Sequence, residues 1–200
     1  ICRISCEGDY TLYINGKVIE SNQYGDFEHY KIYDEIDVTP YIQKLYFKRY
    51  FDWFIKKLDL QDKVEELDKK KNKGKHPIKP RRGDIYLIEF GQNIGKELSN
   101  THMGIILQSS SNNIASHTVI VVPISSSQSL YSTHEKILEK DIKEGKLNKI
   151  PSKAKAEQIT CIDKARMLYK IGNVTDEFMT RLEKRIIKNL DIKLNKTVEN

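Results

Sequence analysis

Thr118-Val-Ile-Val-Val-Pro-Ile-Ser125 is the stretch that decides the fold, because nearly all of its residues are apolar and most are β-branched. A short apolar run of this kind is typical of a strand that is buried on both faces. Three similar runs lie elsewhere between residues 81 and 194: Asp84-Ile-Tyr-Leu-Ile-Glu-Phe90, Gly104-Ile-Ile-Leu-Gln108 and Gln158-Ile-Thr-Cys-Ile162. Several short strands of this type predict a compact β-barrel.

An amphipathic helix is predicted at the end of this region, beginning near Thr175. Asp176 and Glu177 fall in its first turn, where the helix dipole stabilises negative charge. Its apolar stripe consists of Met179, Leu182, Ile186 and Leu190. The sequence therefore predicts a mainly β (α+β) domain in which one C-terminal helix packs on a barrel.

Two segments precede this domain. Residues 1–42 contain Tyr10-Thr-Leu-Tyr-Ile-Asn15-Gly16-Lys-Val-Ile, in which Asn-Gly separates β-formers and predicts a hairpin with a type I′ turn. Residues 43–80 combine an aromatic-faced helix over about 41–58 with a highly charged stretch that ends in Lys69-Lys-Lys-Asn-Lys-Gly-Lys75. We interpret the charged stretch as a solvated linker, with a phosphate-binding arm as the alternative. Residues 195–200 are expected to form a tail.

Composition restricts the class of function. The net charge of +6 fits a polyanionic partner such as nucleic acid. No apolar run approaches the roughly 18 residues that span a bilayer, so we expect no membrane partner. The cysteines Cys2, Cys6 and Cys161 are too few for a disulfide framework and lack zinc-ligand spacing. We therefore expect a reducing cytoplasmic setting, no bound metal, and a core position for Cys161 within its strand.

The motifs between residues 81 and 194 resemble those of the PemK/MazF family of toxins. Six motifs occur in the family's order: Arg82-Gly83-Asp84-Ile-Tyr86 (the opening strand), Asn93-Ile-Gly95-Lys-Glu97 (the G-S-E loop), Gly104–Gln108, Thr118–Ser125, Thr133-His134, and Gln158-Ile-Thr-Cys-Ile-Asp163-Lys164-Ala-Arg166. Each motif is short, but six of them in the same order and spacing are fairly specific.

This resemblance implies an SH3-like barrel, usually a homodimer, that cuts single-stranded RNA without a metal or cofactor. The implied products are a 2′,3′-cyclic phosphate and a 5′-hydroxyl. It also implies a cognate antitoxin whose acidic segment fills the RNA groove. Because a fold does not fix a function, a catalytically inactive module of the same fold that binds RNA or a partner is the alternative.

Two positions of the family motifs carry the predicted chemistry. Family members usually have an arginine before the second strand and a threonine at the end of the third, and these positions fall on His102 and Ser125. A serine keeps the hydroxyl that can hold a phosphate oxygen. Histidine is a departure, because an imidazole exchanges protons near neutral pH and a guanidinium does not. We predict that His102 is a general base or acid, that Ser125 positions the phosphate, and that Glu97 orients His102 or contacts RNA.

The other predicted RNA contacts lie in the loops and strands around these positions. They are Arg82, Lys96, Asn100, Thr101, Gln108, Ser126, Gln158, Lys164 and Arg166. The cationic members would contact phosphates, which contribute affinity but no sequence information. A solvated face explains Lys164 equally well, and a loop role is favoured for His134.

Residues 1–42 show a second, weaker resemblance. Tyr10–Lys17 followed by Tyr33-Asp-Glu-Ile-Asp-Val-Thr-Pro40 resembles an edge of the β-sandwich accessory domains of α-L-rhamnosidases. A complete sandwich needs about 100 residues, so this segment would be an incomplete domain. A carbohydrate-associated β-domain fragment is therefore a further alternative function.

Overall fold

The structure is a computed structural model in which the backbone is described for residues 3–6, 11–14, 17–21, 28–31, 40–127 and 129–193. Side chains are described from residue 47 onward within these ranges. Contacts divide the chain into two compact units, residues 1–48 and residues 49–200.

The described part of the first unit contains short antiparallel strands. They are β1 (Arg3–Cys6) paired with β4 (Glu28–Lys31), and β2 (Thr11–Ile14) paired with β3 (Lys17–Ser21). Ile14 lies opposite Lys17, so β2 and β3 form the predicted hairpin. The Asn15-Gly16 turn lies outside the described residues, as does most of the stretch that resembles a rhamnosidase accessory domain.

Helix α1 spans Pro40–Lys69 and is longer than the sequence pattern indicated. The interpretation of residues 60–69 as a solvated linker is wrong, because apolar residues continue at helical spacing through this charged stretch. Leu60 and Val64 are partly buried and Leu67 is buried, all on one side of the helix. In the part of the chain that the structure describes, no helix has the length and apolar character needed to cross a bilayer.

The second unit is built on an eight-stranded antiparallel sheet, which agrees with the predicted mainly β fold. Its strands are β5 (Asp84–Glu89), β6 (Thr101–Ile106), β7 (Thr118–Ser125), β8 (His134–Ile137), β9 (Ile142–Gly145), β10 (Ser152–Lys155), β11 (Thr160–Asp163) and β12 (Met167–Val174). The order across the sheet is β8-β10-β7-β6-β5-β12-β9, and β11 also pairs with β7.

Parts of the central strands are buried on both faces, which explains their apolar runs. Ile105 and Val122 belong to one core cluster, and their chain neighbours Ile106 and Val121 belong to another. Successive side chains of a strand point to opposite faces, so each strand supplies both clusters. Consecutive apolar residues are therefore favoured from Val121 to Ile124, whereas a sheet with one solvated face would alternate apolar and polar residues.

Helix α2 (Asp176–Asn189) covers the first of these clusters. Thr175 is its N-cap, and the Thr175 hydroxyl accepts a hydrogen bond from the backbone N–H of Phe178 at 3.2 Å. Met179, Leu182 and Ile186 are buried as predicted, but Leu190 is 56% exposed because the helix ends at Asn189. Phe178, which is fully buried, takes part in the core in addition.

Cys161 is exposed, so its predicted core position is wrong. In β11 the side chains alternate between the two faces, and the neighbouring Ile162 points inward and is buried.

Candidate active site

A cleft opens where β6 and β7 stop pairing with each other. The last registered pair between them is Gly104 with Pro123, and proline has no N–H to continue the ladder. Beyond this point β6 remains paired with β5 as far as Thr101, while β7 remains paired with β10 at Ile124 and Ser125. The two strand ends are therefore each held on one side and leave a gap between their facing edges.

His102 and Ser125 lie on opposite sides of this gap. Continuing the antiparallel register by two residues from Gly104 and Pro123 sets His102 opposite Ser125, on the same face as that pair. Both residues line one open cleft of about 670 Å³. The structure thus brings together two residues that are 23 positions apart in the sequence.

The cleft has a hydroxyl-rich wall and a basic rim. Two of the predicted RNA contacts, Thr101 and Ser126, line it beside His102 and Ser125. Residues that sequence reasoning missed complete the rim: Lys146, Asn148, Lys149, Tyr169 and Lys170. Nothing in the local sequence marks these residues, since no local pattern shows that the β9–β10 loop and the first half of β12 approach the end of β6.

The imidazole of His102 is partly buried, and this burial lowers its pKa below the ordinary value. The hydrogen bond to the Ser99 backbone and the Glu89 carboxylate raise the pKa, Lys155 lowers it, and the net effect is a lowered pKa. The ring is therefore mainly neutral at neutral pH. When one ring nitrogen of a neutral imidazole donates to a carbonyl, the other is a proton acceptor.

The hydroxyl of Ser125 is oriented by the turn that follows β7. It donates to the Ser127 hydroxyl at 3.3 Å and accepts from the Ser127 backbone N–H at 3.3 Å. Local bonds of this kind are typical of a serine at a strand end, and they hold the oxygen at the edge of the cleft.

Glu97 is not among the groups that affect His102, so its predicted role in orienting that residue is not supported, whereas its contact with RNA stays a prediction. Its carboxylate accepts from the Ile94 backbone N–H at 3.1 Å, is exposed, and lies outside the cleft lining. The carboxylate whose charge raises the pKa of His102 is that of Glu89, which is only 3% exposed. The sequence does contain a signal for Glu89, because a carboxylate between Ile88 and Phe90 in a buried strand requires a partner.

The family model of the PemK-like, MazF-like toxins of type II toxin–antitoxin systems matches residues 81–190, more than half of the chain. The chain belongs to this family. The family suggested by the ordered motifs is thereby confirmed.

Solved structures of similar proteins include an endoribonuclease from a mycobacterial species, with 15% identity and a TM-score of 0.47, covering 58% of this chain and 96% of that chain. The MazF of Deinococcus radiodurans has 13% identity and a TM-score of 0.49, covering 57% of this chain and 99% of its own. The Mycobacterium tuberculosis toxin MazF-mt6 has 17% identity and a TM-score of 0.45, with 56% and 99% covered.

Lys164 of the PemK/MazF domain is not available to RNA, which contradicts its predicted role. Its side chain is fully buried, and its Nζ donates to the carbonyl oxygens of Ile78 at 2.9 Å and Asn113 at 2.6 Å. Burial lowers the pKa of Lys164 to about 8, against the opposing effect of Asp163. Lys164 therefore ties the segment before the domain to the loop after β6.

Two predicted cationic contacts are engaged elsewhere in the domain. Arg82 forms an ion pair with Glu183 of α2. Arg166 donates to the carbonyl oxygens of Glu89 at 3.3 Å and Phe90 at 3.0 Å. Neither residue lines the cleft, so their roles in RNA binding stay predictions that this geometry does not favour.

The remaining predicted contacts lie in and beyond the loop 91–100. Gln158 Nε2 donates to the Lys96 carbonyl at 3.1 Å, and the Asn100 side-chain oxygen accepts from Gln92 at 2.6 Å. Gln108 follows the far end of β6, away from His102. Lys96 and Asn100 thus lie in the loop that precedes the cleft residue Thr101, and Gln158 contacts this loop. Gln108 lies away from it.

His134 is a structural residue of the domain and does not lie in a loop. It begins β8, is 3% exposed, and its Nε2 is 3.0 Å from a Glu157 carboxylate oxygen. Its Nδ1 accepts from the Tyr131 backbone N–H at 3.0 Å. Among the residues that the structure describes, no three histidine, cysteine or acidic side chains form a group that could hold a metal ion.

Proposed function

We propose that this chain is a toxin-type endoribonuclease that cleaves single-stranded RNA by attack of the 2′-hydroxyl on the adjacent phosphate, without a metal ion. The observation that supports this function is the cleft between β6 and β7. It combines a proton-accepting His102, the hydroxyl of Ser125 and a basic rim on a domain of the toxin family.

In the proposed reaction the neutral imidazole of His102 accepts the proton of the ribose 2′-hydroxyl. The 2′-oxygen then forms a bond to phosphorus, and the bond from phosphorus to the 5′-oxygen breaks. The departing 5′-oxygen takes up a proton from water in the open cleft. The products are a 2′,3′-cyclic phosphate and a 5′-hydroxyl, and general base catalysis by a positioned side chain accelerates such a step by about 10² to 10⁴-fold.

The negative charge that develops on the phosphate requires donors and cations. On RNA binding the Ser125 hydroxyl would turn its proton from the Ser127 hydroxyl to a non-bridging oxygen, and Lys146 and Lys149 would supply positive charge at the rim. These lysines take over the electrostatic role that the family's usual arginine would have at position 102. Exchange of arginine for histidine thus separates two tasks, charge stabilisation and proton transfer, onto different side chains.

We further propose that the chain acts in the cytoplasm as a homodimer and that a cognate antitoxin inhibits it through an acidic segment. The family's place in type II toxin–antitoxin systems and the basic rim of the cleft support such a partner. Sedimentation of the purified chain tests the dimer. Competition between an acidic antitoxin peptide and a fluorescent RNA tests the shared groove.

The test of the nuclease function is incubation of the full chain with a broad panel of single-stranded RNAs in excess EDTA. His102→Ala should lower the cleavage rate by at least about 100-fold, and Ser125→Ala by about tenfold. His117→Ala is the matched control, since His117 is exposed and lies outside the cleft lining. RNA that binds but stays intact with the wild type would refute the nuclease and favour a binding module. Cleavage that stops in EDTA would refute metal independence.

A further inference from the structure

Helix α1 lies before the residues that match the toxin family, yet its part from Trp53 onward packs against β5 and the residues that follow this strand. Trp53 contacts Gly91 just after β5, and Lys56 forms an ion pair with Glu89 at the end of β5. Further along the helix, Lys63 Nζ donates to the carbonyl oxygens of Ala165 at 2.7 Å and Met167 at 3.0 Å. These contacts all lie within the compact unit that contains the cleft.

The Glu89 carboxylate connects Lys56 to the cleft. Its Oε2 binds Lys56 Nζ and accepts from the Thr101 hydroxyl at 2.8 Å, while its Oε1 accepts from the Gly91 backbone N–H at 3.1 Å. Thr101 lines the cleft and immediately precedes His102. One buried carboxylate thus holds both ends of the loop 91–100, and a buried carboxylate is stable in its charged form only with a cationic partner.

The Trp53 ring packs against Gly91, whose backbone N–H is bound by Glu89. Gly91 has a φ of +86°, and a Cβ atom there would lie 2.2 Å from the Trp53 ring, so only glycine fits under this side chain. The Arg166 guanidinium lies 5.3 Å from the centre of the Trp53 ring and donates to the carbonyl oxygens of Glu89 and Phe90. The end of β5 is therefore enclosed between α1 and Arg166.

We propose that Lys56 and Trp53 of α1 are positioning residues of the cleft, which act on His102 through Glu89, Gly91 and Thr101. The proposal rests on the proposed endoribonuclease function for its activity readout. It means that residues 49–69 belong to the functional unit and that residues 81–190 alone would be an impaired enzyme.

The first experiment measures RNA cleavage by the full chain with substitutions at residue 56. Lys56→Met should lower kcat about tenfold with little change in KM, because displacement of a catalytic group by a fraction of an ångström reduces the rate by about this much. Lys56→Arg, which keeps the cation, should restore most of the rate. Lys70→Met is the matched control, because Lys70 is an exposed lysine just after α1 whose side chain forms an ion pair with the exposed Glu66. A wild-type rate for Lys56→Met would overturn the proposal.

A double-mutant cycle separates action through Glu89 from a general loss of packing. If Lys56 acts on the cleft through Glu89, Lys56→Met added to Glu89→Gln should cause little further loss of kcat. Losses that multiply would show independent effects and would overturn the proposed connection. Circular dichroism melts verify that each variant folds. If Lys56→Met does not fold, the Lys56→Gln variant, which keeps a donor without the charge, replaces it in the cycle.

The second experiment does not depend on activity and so distinguishes the two proposals. The titration of His102 is followed by NMR through its ring Hε1 signal, in the wild type and in Glu89→Gln. The charged groups that act on His102 are Glu89 and Lys155, while Lys56 faces Glu89. Because the Glu89 carboxylate raises the pKa of His102, Glu89→Gln should lower that pKa. If the pKa of His102 is the same in Glu89→Gln and in the wild type, the proposed connection through Glu89 is wrong. If that pKa shifts but the wild type leaves RNA intact, only the proposed nuclease function is wrong.

Discussion

His102 on β6 lies directly opposite Ile88 on β5, and Ile88 is fully buried. The imidazole is therefore placed on the edge of an apolar core, where the charged form is disfavoured and the pKa of His102 is lowered. Because its pKa is lowered, His102 stays neutral to a lower pH than an ordinary histidine, so it is suited to accept a proton at neutral pH.

The pH dependence of cleavage follows from this lowered pKa. A general base works in its deprotonated form, so the rate should rise with pH and level off with a midpoint below about 6.5, the ordinary value of a histidine. Single-turnover rates between about pH 4.5 and pH 8 measure the profile. A midpoint above the ordinary value, or a profile without a step in the acidic range, would speak against His102 as the base.

Replacing His102 by arginine, the family's usual residue at this position, separates the contribution of positive charge to the rate from that of proton transfer. His102→Arg should retain more activity than His102→Ala, because a guanidinium stabilises the charged phosphate even though it does not accept a proton. We expect a rate about 10- to 100-fold below wild type and a profile that lacks the acidic step. Equal rates for the two variants would indicate that charge at this position contributes nothing.

The basic rim should determine the salt dependence of RNA binding. Replacing Lys149 by alanine removes one phosphate contact and should lower the slope of log affinity against log salt concentration by about 0.7, the value for single-stranded nucleic acid. Fluorescence anisotropy at several salt concentrations gives the slope. Lys143→Ala is the control, since Lys143 is exposed on β9 but lies outside the cleft lining. Identical slopes for the two variants would indicate that Lys149 does not contact the RNA backbone.

Lys164 should make the stability of the domain depend on alkaline pH. Its pKa is about 8 in the fold and 10.5 in the unfolded chain, so the unfolded chain binds more protons between these values. The free energy of unfolding should therefore rise as the pH increases through this window, by up to about 3 kcal/mol from this one group. Urea unfolding of the wild type and Lys164→Met tests it, and the rise should be smaller in the variant. Parallel curves for the two proteins would contradict the lowered pKa.

That His102 and Ser125 belong to one site could be anticipated, because both were located by motifs that occur in the order of a known family. The order of the strands across the sheet could not be anticipated, since β8, β9 and β10 contain no apolar run. Pro123 was visible in the sequence as a residue that cannot donate to a ladder, although only the structure shows that the strands separate there. Glu89 was missed because its partner Lys56 is 33 residues away in the sequence. No local pattern specifies a contact over that distance.

For Lys164 and the charged part of α1, the prediction was wrong because charged residues were assumed to be exposed to solvent. A lysine is normally solvated, yet two carbonyl oxygens can hold its ammonium inside the protein at a lowered pKa. The charged stretch after residue 58 likewise contains the apolar spacing of a packed helix, but the density of lysine and glutamate conceals it. In both cases a partner distant in sequence determines the burial.

The attachment of Gly91 and Thr101 to the single carboxylate of Glu89 has a consequence for engineering. Ser99 inside the loop also forms a backbone hydrogen bond with His102, so we expect exchanges to leave the contacts of His102 in place only at residues 92–98. Residues 92–98 are therefore the part of the loop in which we expect substitutions to be tolerated, as long as Gly91, Thr101 and the length of the loop are kept.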